Sequence, residues 1–522
     1  MNYKVGRLKL MFWASYFSLV LALHLFHTIN ALSFWNLLLV FFAFFPISER
    51  VRRQKLWYYI RNYISLIFAV TLLWHESYLP PINVLWNFFT VSSMQPSPTF
   101  VWNFFISMFS LNFFLLIFGI LLFSYLISYT PIRKYFSLFF IIFFFAVGFT
   151  EKKVVSADWL ENFYSEEKTK QVEFVNNPAN DYDIIILQLC SFSWDDFDYV
   201  NYDIKPFFKK FDFVFTNFNS ATAYSNQAVL RLLRSSCGQT SQATLFTDVD
   251  PKCYLMDNLR NIGYKTYTDI NHDGAYSGFQ DAVYKYGHAD LPLNKSILIP
   301  QEKSFDGTSV YSDYETLDIW SQARNENNQK SALFYNSISL HTGSQYLDNE
   351  YLPEIEQYDL ALSKVVSDLD RFLLDIKNSG RKTIVIVLGE HGSALRGSSI
   401  QLATVREIPL PSITHVPVVI KIFGPEFNSI TDKTPTYISE QTSHFALAEL
   451  LSRIIAAAPT DYNNLNKDKL VSNLPKTDLV SENETGVILQ NKSGLYYRLS
   501  NQKTWNRLLD SYQASSSSYL LK

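Results

Sequence analysis

At 522 residues the chain is too long for one ordinary domain, and a formal net charge of −3 gives no electrostatic case for a nucleic-acid partner. Aromatic residues make up 16% of the chain, and most of the Phe lies before Thr150. That skew separates two physical regimes.

Residues 1–150 read as an α-helical membrane domain. Apolar stretches cover 8–27, 32–46, 56–74, 102–129 and 135–149, and a span needs about 20 apolar residues, with shorter runs rescued by their flanks. Runs such as Phe139-Phe140-Ile141-Ile142-Phe143-Phe144-Phe145 have no counterpart among buried helices of soluble proteins. The first stretch is not a cleaved signal, because no small-residue cleavage site follows it and a second apolar run comes at once. Lys4, Arg7 and Lys9 flank the first stretch, Arg50, Arg52, Arg53 and Lys55 lie between the second and third, and Arg133 and Lys134 between the fourth and fifth. The other two loops carry no Lys or Arg, although Lys152 and Lys153 weakly oppose the pattern. This alternation predicts an inner amino terminus and an outer location for everything after Phe149. The loop 76–101, with Trp86, Phe88 and Phe89 between prolines, is either a short interfacial helix or a plain connection.

Residues 151–182 are polar and read as a linker. From 183 to 522, strand-like and helix-like segments alternate. Strands are predicted at 184–189, 213–217, 265–268, 333–338, 383–388 and 416–422. Leu360, Val365, Leu369, Leu373 and Ile376 recur at helical spacing over 356–379, with Gly380 as a stop. A second helix is predicted at 443–456. The alternation predicts an α/β sandwich with a largely parallel sheet.

Chemistry-bearing residues fall at the predicted carboxyl ends of strands, where open α/β sheets keep their ligand sites. Cys190 ends the strand 184–189, and it is either a zinc-binding thiolate or a small buried hydrophobe. Gly389-Glu390-His391-Gly392 follows the strand 383–388; the pair suits zinc, and the glycines permit a sharp turn and a close approach to a ligand. Ser225 opens a helical stretch, either as a capping hydroxyl or as a nucleophile at a phosphate-friendly helix end. Thr222 is a rival nucleophile. His341 follows the strand 333–338, as an acid or base or as a solvated loop residue. Arg406 is either a phosphate clamp or a surface charge. His272 and His415 are weaker candidates. The spacing of Cys237 and Cys253 suits a local disulfide in an oxidising compartment, which leaves Cys190 over.

Gln188-Leu189-Cys190-Ser191-Phe192-Ser193-Trp194, Tyr224-Ser225, Leu232-Leu233-Arg234-Ser235-Ser236-Cys237-Gly238-Gln239, Glu390-His391-Gly392 and Arg406-Glu407-Ile408-Pro409 together resemble the cellulose phosphoethanolamine transferase family of Gram-negative bacteria. That family belongs to the alkaline-phosphatase/sulfatase-like superfamily. The resemblance implies a multi-pass inner-membrane anchor and a periplasmic zinc-dependent domain. It implies Zn2+ held by Cys190, Ser225, Glu390 and His391, with Ser225 as the nucleophile that carries phosphoethanolamine. It implies pocket roles for Tyr224, His341 and Arg406, and a Cys237–Cys253 disulfide. The implied donor is phosphatidylethanolamine, the acceptor cellulose or a related glucan, and the cellulose synthase complex a partner. Transfer to lipid A or another glycolipid, a hydrolase, and a non-catalytic scaffold of a secretion complex are the competing readings. A formylglycine sulfatase is disfavoured, because Ser225-Asn226-Gln227 lacks the required Pro and Arg.

Overall fold

In the computed structural model, the described residues are 2–25, 35–44, 55–76, 111–128, 142, 155, 158–293, 297–325, 329–348, 352–398, 400–401, 403–424, 434–457, 467–500 and 505–508. The chain divides into two compact units, one made largely of residues 1–154 and the other largely of residues 155–522.

The first unit contains helices α1 (Asn2–Leu25), α2 (Trp35–Phe44), α3 (Lys55–Glu76) and α4 (Leu111–Ser128). They coincide with four of the five predicted apolar stretches; the fifth, apart from residue 142, lies outside the described residues, as does the loop 77–101. Trp13, Phe17, Val20, Leu39, Val40, Ala69 and Leu72 form a buried cluster across α1 to α3. The buried Asn36 amide nitrogen donates to Glu76 Oε1 at 2.6 Å. Large apolar side chains also face outward, including Ile67 and Phe118, each 65% exposed. Among the described residues, no helix is long and apolar enough to cross a membrane.

The second unit is an α/β sandwich. Its main sheet contains β1 (Asp183–Leu189), β2 (Phe213–Asn219), β3 (Lys265–Ile270), β4 (Ser331–Ser337), β5 (Thr383–Gly389), β6 (His415–Phe423) and β7 (Thr436–Ile438), in the order β7-β2-β6-β5-β1-β4-β3. All six predicted strands are present, each within two residues of its expected ends. The sheet is mixed, because β6 runs antiparallel to both β2 and β5. The strand β1, between β5 and β4, is buried along its whole length. Its alternate residues serve opposite faces, which is why it reads as a continuous apolar run. Ile184 and Ile186 join one core layer, while Ile185, Leu187 and Leu189 join the other.

Helices α6 (Ser225–Leu233) and α9 (His444–Ala456) cover the first face, and α7 (Asp313–Asn325) and α8 (Glu354–Ser379) the second. Gly380 caps α8 in the left-handed region at φ 68°, the conformation that favours glycine there. A smaller antiparallel sheet of β8 (Val480–Glu482), β9 (Gly486–Asn491), β10 (Gly494–Leu499) and β11 (Asn506–Arg507) was not anticipated from the sequence. Within the segment read as a linker, α5 (Trp159–Glu167) packs Leu160 and Phe163 against Val480, Val487, Leu489 and Tyr496. Only a few apolar residues make this contact, so the polar composition of 151–182 hides it.

Asp183 anchors the start of β1. It accepts from Arg324 Nε at 2.9 Å, the Ser331 amide at 2.8 Å and Ser331 Oγ at 2.9 Å, with both charged side chains buried. Removing one partner of a buried pair strands the other charge. Asp183→Ala is therefore expected to destabilise the second unit by about 3–5 kcal/mol. Urea unfolding of the full chain, followed by tryptophan fluorescence, measures this; a loss below about 1 kcal/mol contradicts it.

Candidate active site

The site forms where strand ends are bonded to one another. Leu189 pairs with Gly389 and Ser337, Ile270 with Asn336, and Asn219 with His415. The carboxyl ends of β1 to β5 and the amino end of β6 therefore share one edge. Bonding continues past the strands: the Glu390 amide donates to Leu189 O at 2.7 Å, the Cys190 amide to Ser337 O at 2.9 Å and the Phe192 amide to His391 O at 2.8 Å.

The glycines around the Glu-His pair are needed for this packing. A Cβ at Gly389 would lie 2.1 Å from the Phe192 carbonyl oxygen, and one at Gly392 would lie 2.5 Å from Ser193 Oγ. The close approach expected for a ligand is thus made by the chain's own loop after β1.

Cys190, Glu390 and His391 are fully buried, with ligand atoms all within 4.8 Å of one another. Cys190 is not part of a disulfide. Its Sγ lies 3.8 Å from His391 Nε2 and 4.0 Å from Ser225 Oγ, and Ser225 Oγ lies 3.3 Å from His391 Nε2. The ring N–H at His391 Nδ1 donates to Gly392 O at 3.0 Å, which leaves the Nε2 lone pair facing the cluster. Asn336 Nδ2 donates to Glu390 Oε2 at 3.3 Å, whereas Glu390 Oε1 is buried with no hydrogen-bond partner.

Burial dominates the electrostatics. It pushes the Cys190 thiol up to about 12, with the Glu390 charge adding to the effect. It pushes the Glu390 carboxyl up to about 7, against hydrogen bonds from Ser225 and Asn336. It holds the His391 imidazole well below its ordinary range, with Arg406 as the second cause. A buried thiol, carboxyl and neutral imidazole around an orphaned carboxylate oxygen are the donor set of a zinc site. These residues fit the metal that the sequence implies.

Ser225 is not a capping hydroxyl. Tyr224 occupies the N-cap position of α6 without a side-chain cap, and Ser225 is the first helical residue. The Thr222 hydroxyl is committed elsewhere, donating to Asn483 Oδ1 at 2.8 Å in a fully buried position. Ser225 is only partly buried. Tyr224 donates its hydroxyl to Glu407 Oε1 at 2.9 Å. Arg406 Nη1 lies 3.2 Å from His391 Nε2, and Arg406 Nη2 lies 3.3 Å from His341 Nε2, so Arg406 is a site residue and not a surface charge. His341 donates from Nδ1 to Thr342 O at 2.7 Å and stacks on Phe305. Burial, then Arg406, lowers it to about 3, so the ring is neutral with its lone pair at Nε2.

Other candidates lie around this cluster. His272 accepts from the Gly274 amide at Nδ1, 3.0 Å away, and its Nε2 lies 3.3 Å from Asn336 Oδ1. It therefore supports the amide that holds Glu390. His415 is buried with Nε2 bonded to Thr216 O at 2.8 Å, a structural role. Cys237 and Cys253 form a disulfide. Two supporting residues escaped the sequence reading. One is Asn336, inside a strand, and the other is Asn483. Asn483 accepts from Thr222 and the Ala223 amide, and donates to the carbonyls of Arg406 and Glu407. It ties the Ser225 loop to the Arg406 loop.

Comparison with known proteins agrees along most of the chain. The family described as "Cellulose biosynthesis protein BcsG C-terminal domain" matches residues 149–505, and "Cellulose biosynthesis protein BcsG N-terminal domain" matches residues 13–147. The cellulose biosynthesis protein BcsG of Escherichia coli (strain K12) is 36% identical over 346 residues, covering 65% of this chain and 61% of the relative. Its counterpart from Salmonella typhimurium is 35% identical over the same shares of the two chains. The matches thus span about three fifths of these relatives' lengths. A crystal structure of a protein in the alkaline phosphatase superfamily from Vibrio parahaemolyticus is similar at a TM-score of 0.49 and 14% identity, covering 70% of this chain and 94% of that one.

If the buried donor set holds a divalent ion, chelation leaves its acids without a counter-charge. The full chain is expected to contain about one zinc per molecule and to melt at a lower temperature after chelator treatment. Cys190→Ser is expected to lower zinc content, and Thr222→Ala to leave it unchanged. Elemental analysis checks this, and normal zinc content in Cys190→Ser removes Cys190 from the site.

Proposed function

We propose, from the premise that this chain belongs to the cellulose biosynthesis protein BcsG family, that it transfers phosphoethanolamine from phosphatidylethanolamine to exported cellulose through a phosphoserine at Ser225. The observation that carries this reading is the position of Ser225 Oγ, on the first turn of α6 and facing Cys190 and His391.

In the first step the Ser225 oxygen attacks phosphorus. The Oγ–P bond forms, the bond from phosphorus to the diacylglycerol oxygen breaks, and the proton that Ser225 gives up ends on that leaving oxygen. In the second step an acceptor sugar hydroxyl attacks the phosphoserine. The new O–P bond forms, the P–Oγ bond breaks, and Ser225 regains a proton. Zinc held by Cys190, Glu390, His391 and Ser225 would supply positive charge that favours the serine alkoxide and offsets the phosphoryl oxygens. The free amides at the start of α6 favour the same anion. Arg406 is placed to bind phosphate oxygens, and its two-nitrogen fork already spans His391 and His341. His341, with Nε2 beside Arg406, would orient the leaving oxygen or the acceptor hydroxyl by a hydrogen bond.

A lipid donor accounts for the attachment of this unit to an apolar one. In this reading residues 1–150 form five membrane-spanning helices and residues 183–522 lie in the periplasm. Loop charges and the outward apolar side chains on α3 and α4 support it. The cellulose synthase complex is the proposed partner that delivers the acceptor.

Ser225→Ala is expected to fold and to lose transfer by about 10³-fold or more. The readout is phosphoethanolamine on cellulose from cells carrying each variant, with lipid A analysed in parallel. Full activity in Ser225→Ala moves the nucleophile to Thr222. Unchanged cellulose together with altered lipid A in a deletion strain overturns the acceptor.

A further inference from the structure

Beside His341 lies a small cleft with about 20 Å³ of free space, lined by Glu302, Tyr346, Glu354 and Tyr358 among others. Two of its walls belong to the site already described. His341 faces Arg406, and Tyr358 donates its hydroxyl to Ser191 O at 2.7 Å, the carbonyl next to Cys190. Another wall comes from a small antiparallel sheet of Glu302–Lys303, Ser309–Val310 and Gln345–Tyr346.

Glu302 is unusual among these residues. It is 3% exposed, and its Oε2 has no hydrogen-bond partner. The Tyr346 hydroxyl bonds to the carboxyl. Thr342 Oγ1 and Ser344 Oγ, also on the cleft, are buried without partners as well. Nearby charge is mostly negative: Asp313 and Asp368 act on Glu302, and Glu354 lines the same cleft. Asp313 is already bonded to Tyr335 and Ser339. The opposing cation is Lys364, whose Nζ lies 3.6 Å from the centre of the Tyr346 ring. Burial pushes Glu302 up to about 8, against the Tyr346 hydrogen bond and Lys364.

We propose that this cleft is a subsite for a primary ammonium group, the aminoethyl end of the transferred phosphoethanolamine, with Glu302 as the residue that selects it. The inference rests on the function proposed above. An ammonium carries three N–H donors and one positive charge. The cleft offers it three unsatisfied oxygens, at Glu302, Thr342 and Ser344, and an ammonium beside Glu302 would favour the ionised form of its carboxyl. Its free volume is enough for a group of one or two heavy atoms.

The test compares nitrophenyl esters of phosphoethanolamine and phosphocholine, which share a leaving group and a phosphate charge. The full chain in detergent is expected to prefer the ethanolamine ester. In Glu302→Gln that preference falls about 10-fold or more, chiefly through KM, because a hydrogen bond to a charged group is lost. Glu354→Gln, at a partly exposed position, causes a smaller fall. On the wild type alone, free ethanolamine competes with the ethanolamine ester more strongly than choline does. A folded Glu302→Gln variant that keeps the full preference overturns the subsite and leaves the proposed function standing; so does equal competition by ethanolamine and choline. Turnover of neither ester overturns the proposed function and the subsite with it.

Discussion

The site depends on backbone pairing that continues beyond the ends of three parallel strands. Glu390 bonds to Leu189, Cys190 to Ser337 and Phe192 to His391, each through main-chain groups at 2.7–2.9 Å. Side chains far apart in sequence are thereby fixed next to one another before any of them does chemistry. Gly389 makes this possible, because the Phe192 carbonyl occupies the space where a side chain would begin. The loop that presents Cys190 also turns through Ser191 at φ 57°, a strained conformation for a residue other than glycine. Such strain persists only where surrounding contacts over-determine it, and here the main-chain bonds on either side do so.

A layer of amides and hydroxyls lies behind these ligand-type groups. His272, Asn336 and Glu390 form a chain in which each group has a defined hydrogen-bonding sense. The Gly274 amide donates to His272 Nδ1, so the ring must donate from Nε2 to Asn336 Oδ1. The Asn336 amide is then oriented to donate to Glu390. One carboxylate oxygen is fixed and the other is left available. Asn483 plays a similar part for the Ser225 loop, since it occupies the Thr222 hydroxyl and ties down the loop bearing Arg406. The smaller sheet therefore contributes to the site, although it supplies none of the groups expected to react.

Much of this edge was legible in the sequence because buried strands of a doubly covered sheet are apolar runs, and β1 and β5 are such runs. Cys190 and Glu390-His391 sit directly after them, so their shared edge followed from topology. Ser225 was legible as the start of a helix, but not as a residue freed from capping, because Tyr224 gives no capping signal in the sequence. The reversed direction of β6 was hidden, since parallel and antiparallel buried strands carry the same apolar pattern. Asn336 and Asn483 were hidden for another reason. A buried amide looks like any other polar residue until its partners, more than 50 positions away in both cases, are known.

Charge balance connects this architecture to its chemistry. Without a cation, burial favours the protonated forms of Cys190 and Glu390, because a charge is costly in a low-dielectric site, and the Glu390 charge adds to the effect on Cys190. Ionising both leaves two negative charges, and Arg406 offsets one. On the proposed reading, a divalent ion brings the sum to one net positive charge, which matches the single negative charge of a phosphodiester. The serine hydroxyl sits at the boundary of this set, partly exposed where its neighbours are fully buried. On the proposed reading, that position lets a bulky lipid ester reach the oxygen while the groups that would hold the metal stay dry. A solvent-exposed cluster of the same residues would keep Cys190 and Glu390 closer to their ordinary ranges, and it would lose the electrostatic demand that, on the proposed reading, favours both a divalent cation and a monoanionic substrate.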